Sequence, residues 1–313
     1  VGSSRPTGDP GPITFAVPFY RGLDYLSRAV ASVRRQTAPQ WRLLVCDDSP
    51  AGDAAAAIDR ADGRVRYVHN GRTLGMAGNW NRCLDLADTD LVTLLHADDE
   101  LLPNYAAEFR AAAARYPACA ALYCGARVVG PDGRATFSLA DWVKRVLAPA
   151  GAAPRRLRGP RGLARVLRVN SIMCPTVCYR RSALGARRFD PRWRCALDLA
   201  FFARLLADGD EFVGLPAVAY AYRRHPENAT AGYTESLLKF AEEAALYDEL
   251  AAEAAARGWP AVARVARAKL MVRLHLAFRV ARDVSRGRLA PAWAKARFLA
   301  RLTAPPAGVP CRT

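Results

Sequence analysis

The segment LVTLLHADDELLP, Leu91 to Pro103, decides how this chain is to be read. Leu91 to Leu95 form a β-favouring run without alternation, as expected of a strand whose two faces are both covered by helices. The run ends in His96, Ala97, Asp98 and Asp99. In an open parallel sheet, ligands bind beyond the carboxyl ends of the strands, so two carboxylates placed there are candidates for holding a hard divalent cation.

Outward from this segment the same kind of run recurs at Ile13 to Val17, Arg42 to Cys46, Val65 to His69 and Ala120 to Val129. Helical patterns at Leu23 to Arg35, Ala51 to Arg60, Gly75 to Ala87 and Asn104 to Arg115 lie between them. The alternation predicts an α/β fold with a doubly wound, mostly parallel sheet and flanking helices. Asp53 and Asn104 suit helix starts, and Pro103 suits a first helical turn.

The other strand ends add to the picture. The first runs into Pro18, Phe19, Tyr20 and Arg21, and the second into Asp47, Asp48 and Ser49. An aromatic ring can stack on a nucleobase, a carboxylate can accept from a base N–H, and paired carboxylates can hold a cation through oxygen. Together they fit a nucleotide diphosphate with its metal. A lone Asp-Asp pair more often caps a helix or borders a turn. Two pairs on one sheet are harder to explain that way. His96 is given no role.

Beyond the sheet, residues 131–162 are rich in Gly, Pro and Arg and are expected to loop over the site as a lid or acceptor loop. Regular structure is expected to resume at Asn170 to Tyr179, Leu197 to Leu206, Glu211 to Val213 and Ala217 to Tyr222. From Tyr233 to about Leu302 the pattern is helical, with an apolar stripe at Val262, Ala266, Leu270, Leu274, Phe278 and Ala281 accompanied by arginines.

Composition narrows the classes. The 313 residues are 51% hydrophobic, enough for one large core or two fused halves. Every apolar run is cut by a charge well before the roughly 18 residues that a membrane span needs. The first dozen residues read as a loose tail with no apolar export segment. A cytoplasmic protein is expected, with peripheral contact at the inner face of the membrane. The net charge of +17 sits in two blocks: residues 141–168 carry eight Lys/Arg against one acid, and residues 257–313 carry thirteen against one. What remains is close to neutral, which argues against a nucleic-acid groove at the strand ends. The eight cysteines include no CxxC pair and read as buried small hydrophobes in a reducing compartment. The sharper alternative, a zinc held by Cys119, Cys124, Cys174 and Cys178, has unusual spacings and no accompanying histidine.

The sequence resembles the inverting family 2 glycosyltransferases of GT-A fold. The resemblance is carried by ITFAVPFY (Ile13 to Tyr20), LLVCDDS (Leu43 to Ser49), GMAGNWNRCLDLA (Gly75 to Ala87) and LLHADDELLP (Leu94 to Pro103). It continues in PTVCYRRSAL (Pro175 to Leu184), ALDLAFFARLLADG (Ala196 to Gly209) and YRRHPENAT (Tyr222 to Thr230). It implies a nucleotide-sugar-binding half over 13–130 and an acceptor-binding half over 131–232, between terminal tails at 1–12 and 304–313. A basic helical extension over 233–303 lies outside the resemblance.

Carried over by position, the resemblance implies that Pro18 and Tyr20 line the base pocket and that Asp48 recognises the base. Asn79 would border the donor and Asp98 would face the ribose or sugar. Asp99, with His225, would bind Mg²⁺ or Mn²⁺ at the diphosphate, and Asp198 would be the catalytic base. The competing role for Asp198 is as N-cap of its own helix, and Arg223 and Arg224 would either clamp phosphate or be solvated. The motif here is Ala-Asp-Asp, so the first carboxylate of the stricter Asp-X-Asp pattern is missing. The implied donor is a nucleotide diphosphate sugar built on UDP, dTDP or GDP, with acceptor and oligomeric state unidentified. Two rival readings are a sugar nucleotidyltransferase, which would need a Gly-rich basic phosphate loop that PFYRG does not supply, and a basic nucleic-acid-binding protein.

Overall fold

The structure is a computed structural model that describes residues 8–136, 153–226 and 229–303. Its centre is a sheet of nine strands: β1 (Ile13–Phe19), β2 (Trp41–Asp47), β3 (Val65–His69), β4 (Leu91–Leu94), β5 (Glu100–Leu101), β6 (Ala121–Val129), β7 (Arg155–Arg158), β8 (Cys178–Arg180) and β9 (Glu211–Arg223). The order is β3-β2-β1-β4-β8-β6-β9-β5, with β7 also paired to β9. β1, β2, β3 and β4 pair in parallel, as do β6 and β9. β8 runs antiparallel between β4 and β6, and the short β5 and β7 are antiparallel to β9.

Side chains leave a strand on alternate faces, and the core follows that rule. Ile13, Phe15, Val17, Leu43 and Val45 pack with helices α1 (Leu23–Arg34) and α3 (Tyr105–Arg115). Ala16, Leu44, Cys46, Val92 and Leu94 face the opposite side. There they meet α2 (Gly75–Leu86), α4 (Gly159–Arg168) and α6 (Leu197–Ala207), while the short α5 (Arg181–Leu184) follows β8. Burial on both faces explains why these strands read as unbroken apolar runs. Cys46, Cys83, Cys119, Cys124 and Cys178 are buried free thiols. Among the described residues the cysteines form no metal-ligating group.

Several local expectations change. The crossover over 51–60 holds only a 3₁₀ turn, Asp53–Ala57. Pro103 precedes α3 instead of opening it, and its carbonyl accepts from the Thr37 backbone N–H at 2.9 Å. The expected loop over 131–162 is shorter at its far end, because Arg155–Arg158 add β7 to the edge of β9 and Pro160 lies in the first turn of α4. Residues 137–152 of that loop lie outside the described residues. Glu211 to Tyr222, expected as two strands, is one long strand.

The C-terminal part is helical: α7 (Ala229–Glu235), α8 (Leu238–Ala256), α9 (Pro260–Ala268), α10 (Leu270–Ser285) and α11 (Leu289–Thr303). The apolar stripe expected to run unbroken through α9 and α10 is split. Val262 and Ala266 are buried, whereas Leu270, Leu274 and Phe278 are exposed. The cause is Lys269, which takes a left-handed conformation (φ 44°) between the two helices. Such backbone is strained for a residue with a side chain; Lys269 is tied down by an ion pair to Asp248 at 2.5 Å.

Candidate functional site

The candidate site lies where β1, β2 and β4 end. At the end of β2 the two aspartates divide their work. Asp47 is fully buried: its oxygens accept from the Ser49 N–H and hydroxyl, the Ala54 N–H and the Tyr67 hydroxyl. Burial pushes its pKa up, but these hydrogen bonds outweigh it and hold the group below the ordinary carboxylate value. Asp48 accepts from the N–H groups of Leu74 and Gly75 at 2.8 and 2.9 Å and from Asn70 Nδ2 at 2.9 Å. It therefore satisfies free donors at the start of α2, where Gly75 at φ 75° makes the turn that a side chain would resist.

Asn79, on α2, ties these loops together. Its Nδ2 donates to Phe19 O and Cys46 O at the ends of β1 and β2, and its Oδ1 accepts from the same Asn70 amide that holds Asp48. It is buried and orders the crevice floor. Pro18 is half-buried, and Tyr20 is exposed at the rim.

At the end of β4 the two carboxylates also differ. Asp99 is fully buried, with one oxygen taking the Tyr220 hydroxyl at 3.0 Å and the other the Arg223 backbone N–H at 2.7 Å. Burial, and then the neighbouring charge of Asp98, pushes its pKa well up against the pull of those donors. Asp98 is the carboxylate that reaches solvent, its side chain 29% exposed, and it lies 3.0 Å from His225 Nε2. The His225 ring packs against Tyr25 with centroids 4.9 Å apart.

His96 joins this pair. One ligand atom from each of His96, Asp98 and Asp99 lies within 4.8 Å of the others. The ring packs on Trp80, and its Nε2 is buried with no hydrogen-bond partner among the described residues. A buried polar atom without a partner is costly unless something else satisfies it. Two carboxylates and an imidazole form a donor set that suits a divalent cation such as Mg²⁺ or Mn²⁺. The sequence signal was an imidazole at the strand end, two residues ahead of Asp98 and three ahead of Asp99.

Arg223 is not a phosphate clamp. Its guanidinium is 1% exposed and fully engaged with the protein, donating to Asp98 O, Gly130 O and Pro131 O and pairing with Glu100. It fastens the Asp98–Glu100 turn to β9. Arg224 is exposed and lies against the Tyr222 ring.

Asp198 stands in the first turn of α6 and does not cap that helix, whose N-cap is Ala196. Its Oδ1 accepts from the Leu199 N–H at 2.8 Å. Glu242 of α8 holds the chain leading into the helix, accepting from the N–H groups of Arg194, Cys195 and Ala196 at 2.7 to 3.1 Å. The Cys174 thiol is pushed well up by burial, and then by the charges of Asp198 and Asp99. The chain thus brings His96, Asp98, Asp99 and His225 together at the β4 end, and Pro18, Tyr20, Asp48 and Asn79 at the β1–β2 end, while Asp198 stands on α6.

The model of the family described as "Glycosyl transferase family 2" matches residues 14–185. The Escherichia coli protein UDP-Glc:alpha-D-GlcNAc-diphosphoundecaprenol beta-1,3-glucosyltransferase WfgD is 29% identical over 93 residues, which are 29% of this chain and 37% of that protein. The chain matches about a third of the length of such curated relatives. Among solved structures, S. aureus TarS 1–349 in complex with UDP-GlcNAc aligns with TM-score 0.58 and 16% identity over 76% of this chain and 66% of that one. The mannosyltransferase PcManGT of Pyrobaculum calidifontis, in complex with GDP-Man and Mn²⁺, aligns with TM-score 0.54 and 17% identity over 96% of this chain and 90% of that one. Since the family match takes in more than half of the chain and contains the strand ends that form the crevice, the chain belongs to glycosyl transferase family 2 and has a GT-A-like fold.

Proposed function

We propose that this chain moves a glycosyl group, with inversion, from a nucleoside diphosphate sugar to an acceptor hydroxyl, using a divalent cation. The observation that carries the reading is the cluster of His96, Asp98 and Asp99 at the end of β4. The neighbours crystallised with UDP-GlcNAc and GDP-Man support the donor class. The relative named for a diphosphoundecaprenol substrate supports a lipid-linked cell-envelope acceptor, reached from the cytoplasmic side.

In this reading Tyr20 and Pro18 border the base, while Asn79 and Asp48 keep the crevice floor in shape. Asp48 also has lone-pair capacity left to meet a base N–H. Asp98, the solvent-reaching carboxylate of the set, would hold the cation together with His96, with His225 beside it. Asp99, expected as a metal ligand with His225, belongs to this donor set and also anchors the turn from beneath through Tyr220 and Arg223. A bound Mg²⁺ or Mn²⁺ would act as a Lewis acid that offsets the charge gathering on the leaving nucleotide. Asp198 takes the acceptor proton as that oxygen attacks the anomeric carbon opposite the departing diphosphate.

The test is a thermal-shift panel of UDP, dTDP and GDP, each with and without Mn²⁺, followed by product release from the sugar conjugate of whichever nucleotide binds. A ligand that binds only the folded state raises the unfolding midpoint. A cation-dependent rise and release of that nucleoside diphosphate are expected. No rise with any nucleotide would defeat the reading.

A further inference from the structure

We infer that the outer face of α10, with the start of α11, docks on an anionic phospholipid surface. The face is apolar along its length. Leu270, Leu274, Phe278 and Val284 are 48%, 51%, 43% and 52% exposed, and Ala277 and Ala281 between them are exposed as well. At 100° per residue these positions fall on one side of the helix. Leu289 and Trp293, one turn apart at the start of α11, are 67% and 62% exposed. A soluble helix ordinarily turns such a stripe inward. In α10 the inward side is instead Val272, Leu276, Arg279 and Asp283.

The charges sort in the same way. Cations on the inner side are matched: Lys295 pairs with fully buried Asp283 at 2.6 Å, and Arg279, Arg282, Arg288 and Lys295 all gather on Glu235. Arg286 just beyond α10, and Arg297 and Arg301 on α11, are exposed and have no ion pair among the described residues; Arg297 lies over the Trp293 ring at 4.5 Å. The outside of this helix pair therefore offers apolar side chains bordered by unmatched positive charge.

That combination selects the occupant. A second copy seated on the same face would bring two sets of unmatched arginines together, which costs energy. A neutral bilayer would leave the arginines without partners. An anionic bilayer takes both: the apolar chains enter the headgroup boundary, and each nearby arginine gains from the surface potential. No helix of the described residues is long and apolar enough to cross a membrane, so the contact lies in the plane of the interface. It stands apart from the donor chemistry, since none of these side chains lines the crevice.

The experiment is co-sedimentation of the full chain with vesicles of phosphatidylcholine plus phosphatidylglycerol, and with phosphatidylcholine alone, at low and high salt. Binding to the mixed vesicles only, weakened by salt, is expected. The double variant Leu274→Glu with Phe278→Glu should abolish it, and Arg286→Glu with Arg297→Glu should weaken it at least about tenfold, both with the parent's unfolding midpoint. Should the glutamate pair lower that midpoint, Leu274→Ser with Phe278→Ser takes its place and should bind markedly less than the parent. The inference is overturned by a parent protein that stays in the supernatant at low salt, by variants that bind as the parent does, or by a dimer in sedimentation equilibrium that these apolar substitutions dissociate.

Discussion

The carboxylate of Glu242 accepts the backbone N–H of Ala196 at 3.0 Å, two residues ahead of Asp198. It binds the N–H groups of Arg194 and Cys195 as well, so a helix outside the region matched by the family model holds the chain leading into the helix that carries the proposed base. Glu242→Ala strands those donors and is expected to lower stability by about 1–3 kcal/mol. Turnover should fall while nucleotide affinity, measured by calorimetry, stays unchanged. Glu242→Gln keeps one acceptor oxygen and should recover part of both losses. An alanine variant with parental turnover would show that the base does not depend on this contact.

Asp198→Asn preserves shape and removes the proton acceptor. We expect turnover to fall by roughly 10² or more, with donor binding unaltered. Single-turnover kinetics separates the two effects. A variant that turns over near the parent rate would send the search for the base elsewhere.

The two β4 acids should fail differently. Asp98→Ala is expected to leave the unfolding midpoint of the free protein near the parent value and to remove the Mn²⁺-dependent part of nucleotide stabilisation. Asp99→Ala leaves the Tyr220 hydroxyl and the Arg223 N–H without their partner in a fully buried place. It should cost about 1–3 kcal/mol of stability before any question of catalysis arises. Thermal melts with and without nucleotide and Mn²⁺ distinguish the two patterns, and equal loss of stability in both variants would contradict this division.

Acid should weaken the fold at Asp283 and Asp47. The Lys295 hydrogen bond, opposed by burial, holds Asp283 below the ordinary carboxylate value, and Asp47 is held low despite burial. A carboxylate with a lowered folded-state pKa adds stability in full above its unfolded value near ~4, and loses it as pH falls through the folded value. Thermal midpoints should therefore drop as pH falls below about 4. Asp283→Asn should flatten that acid limb; an unchanged slope would count against Asp283 as a contributor.

Much of the crevice was legible because strand ends announce themselves: an apolar run stops and acids begin, as at Leu94 to Asp99. Asp198 was legible only through resemblance. What could not be read was the function of a partner distant in sequence. Tyr220 and Arg223 meet Asp99 across 121 and 124 residues, and nothing local to Asp99 tells a ligand from an anchor. His96 was passed over because an imidazole was not counted in place of a carboxylate. The stripe through α9 and α10 has a sound helical period, but period says nothing of a left-handed residue that interrupts it.

That residue, Lys269, sets the phase between two helices. Each residue of helix turns the next side chain by about 100°, so adding or removing one position before Leu270 would swing the whole of α10 round its axis. Leu274 and Phe278 would leave the outer side, and Arg279 and Asp283 would lose their alignment with Glu235 and Lys295. Which side of α10 meets the surroundings is thus fixed by the length of a one-residue junction, and composition alone would have allowed either.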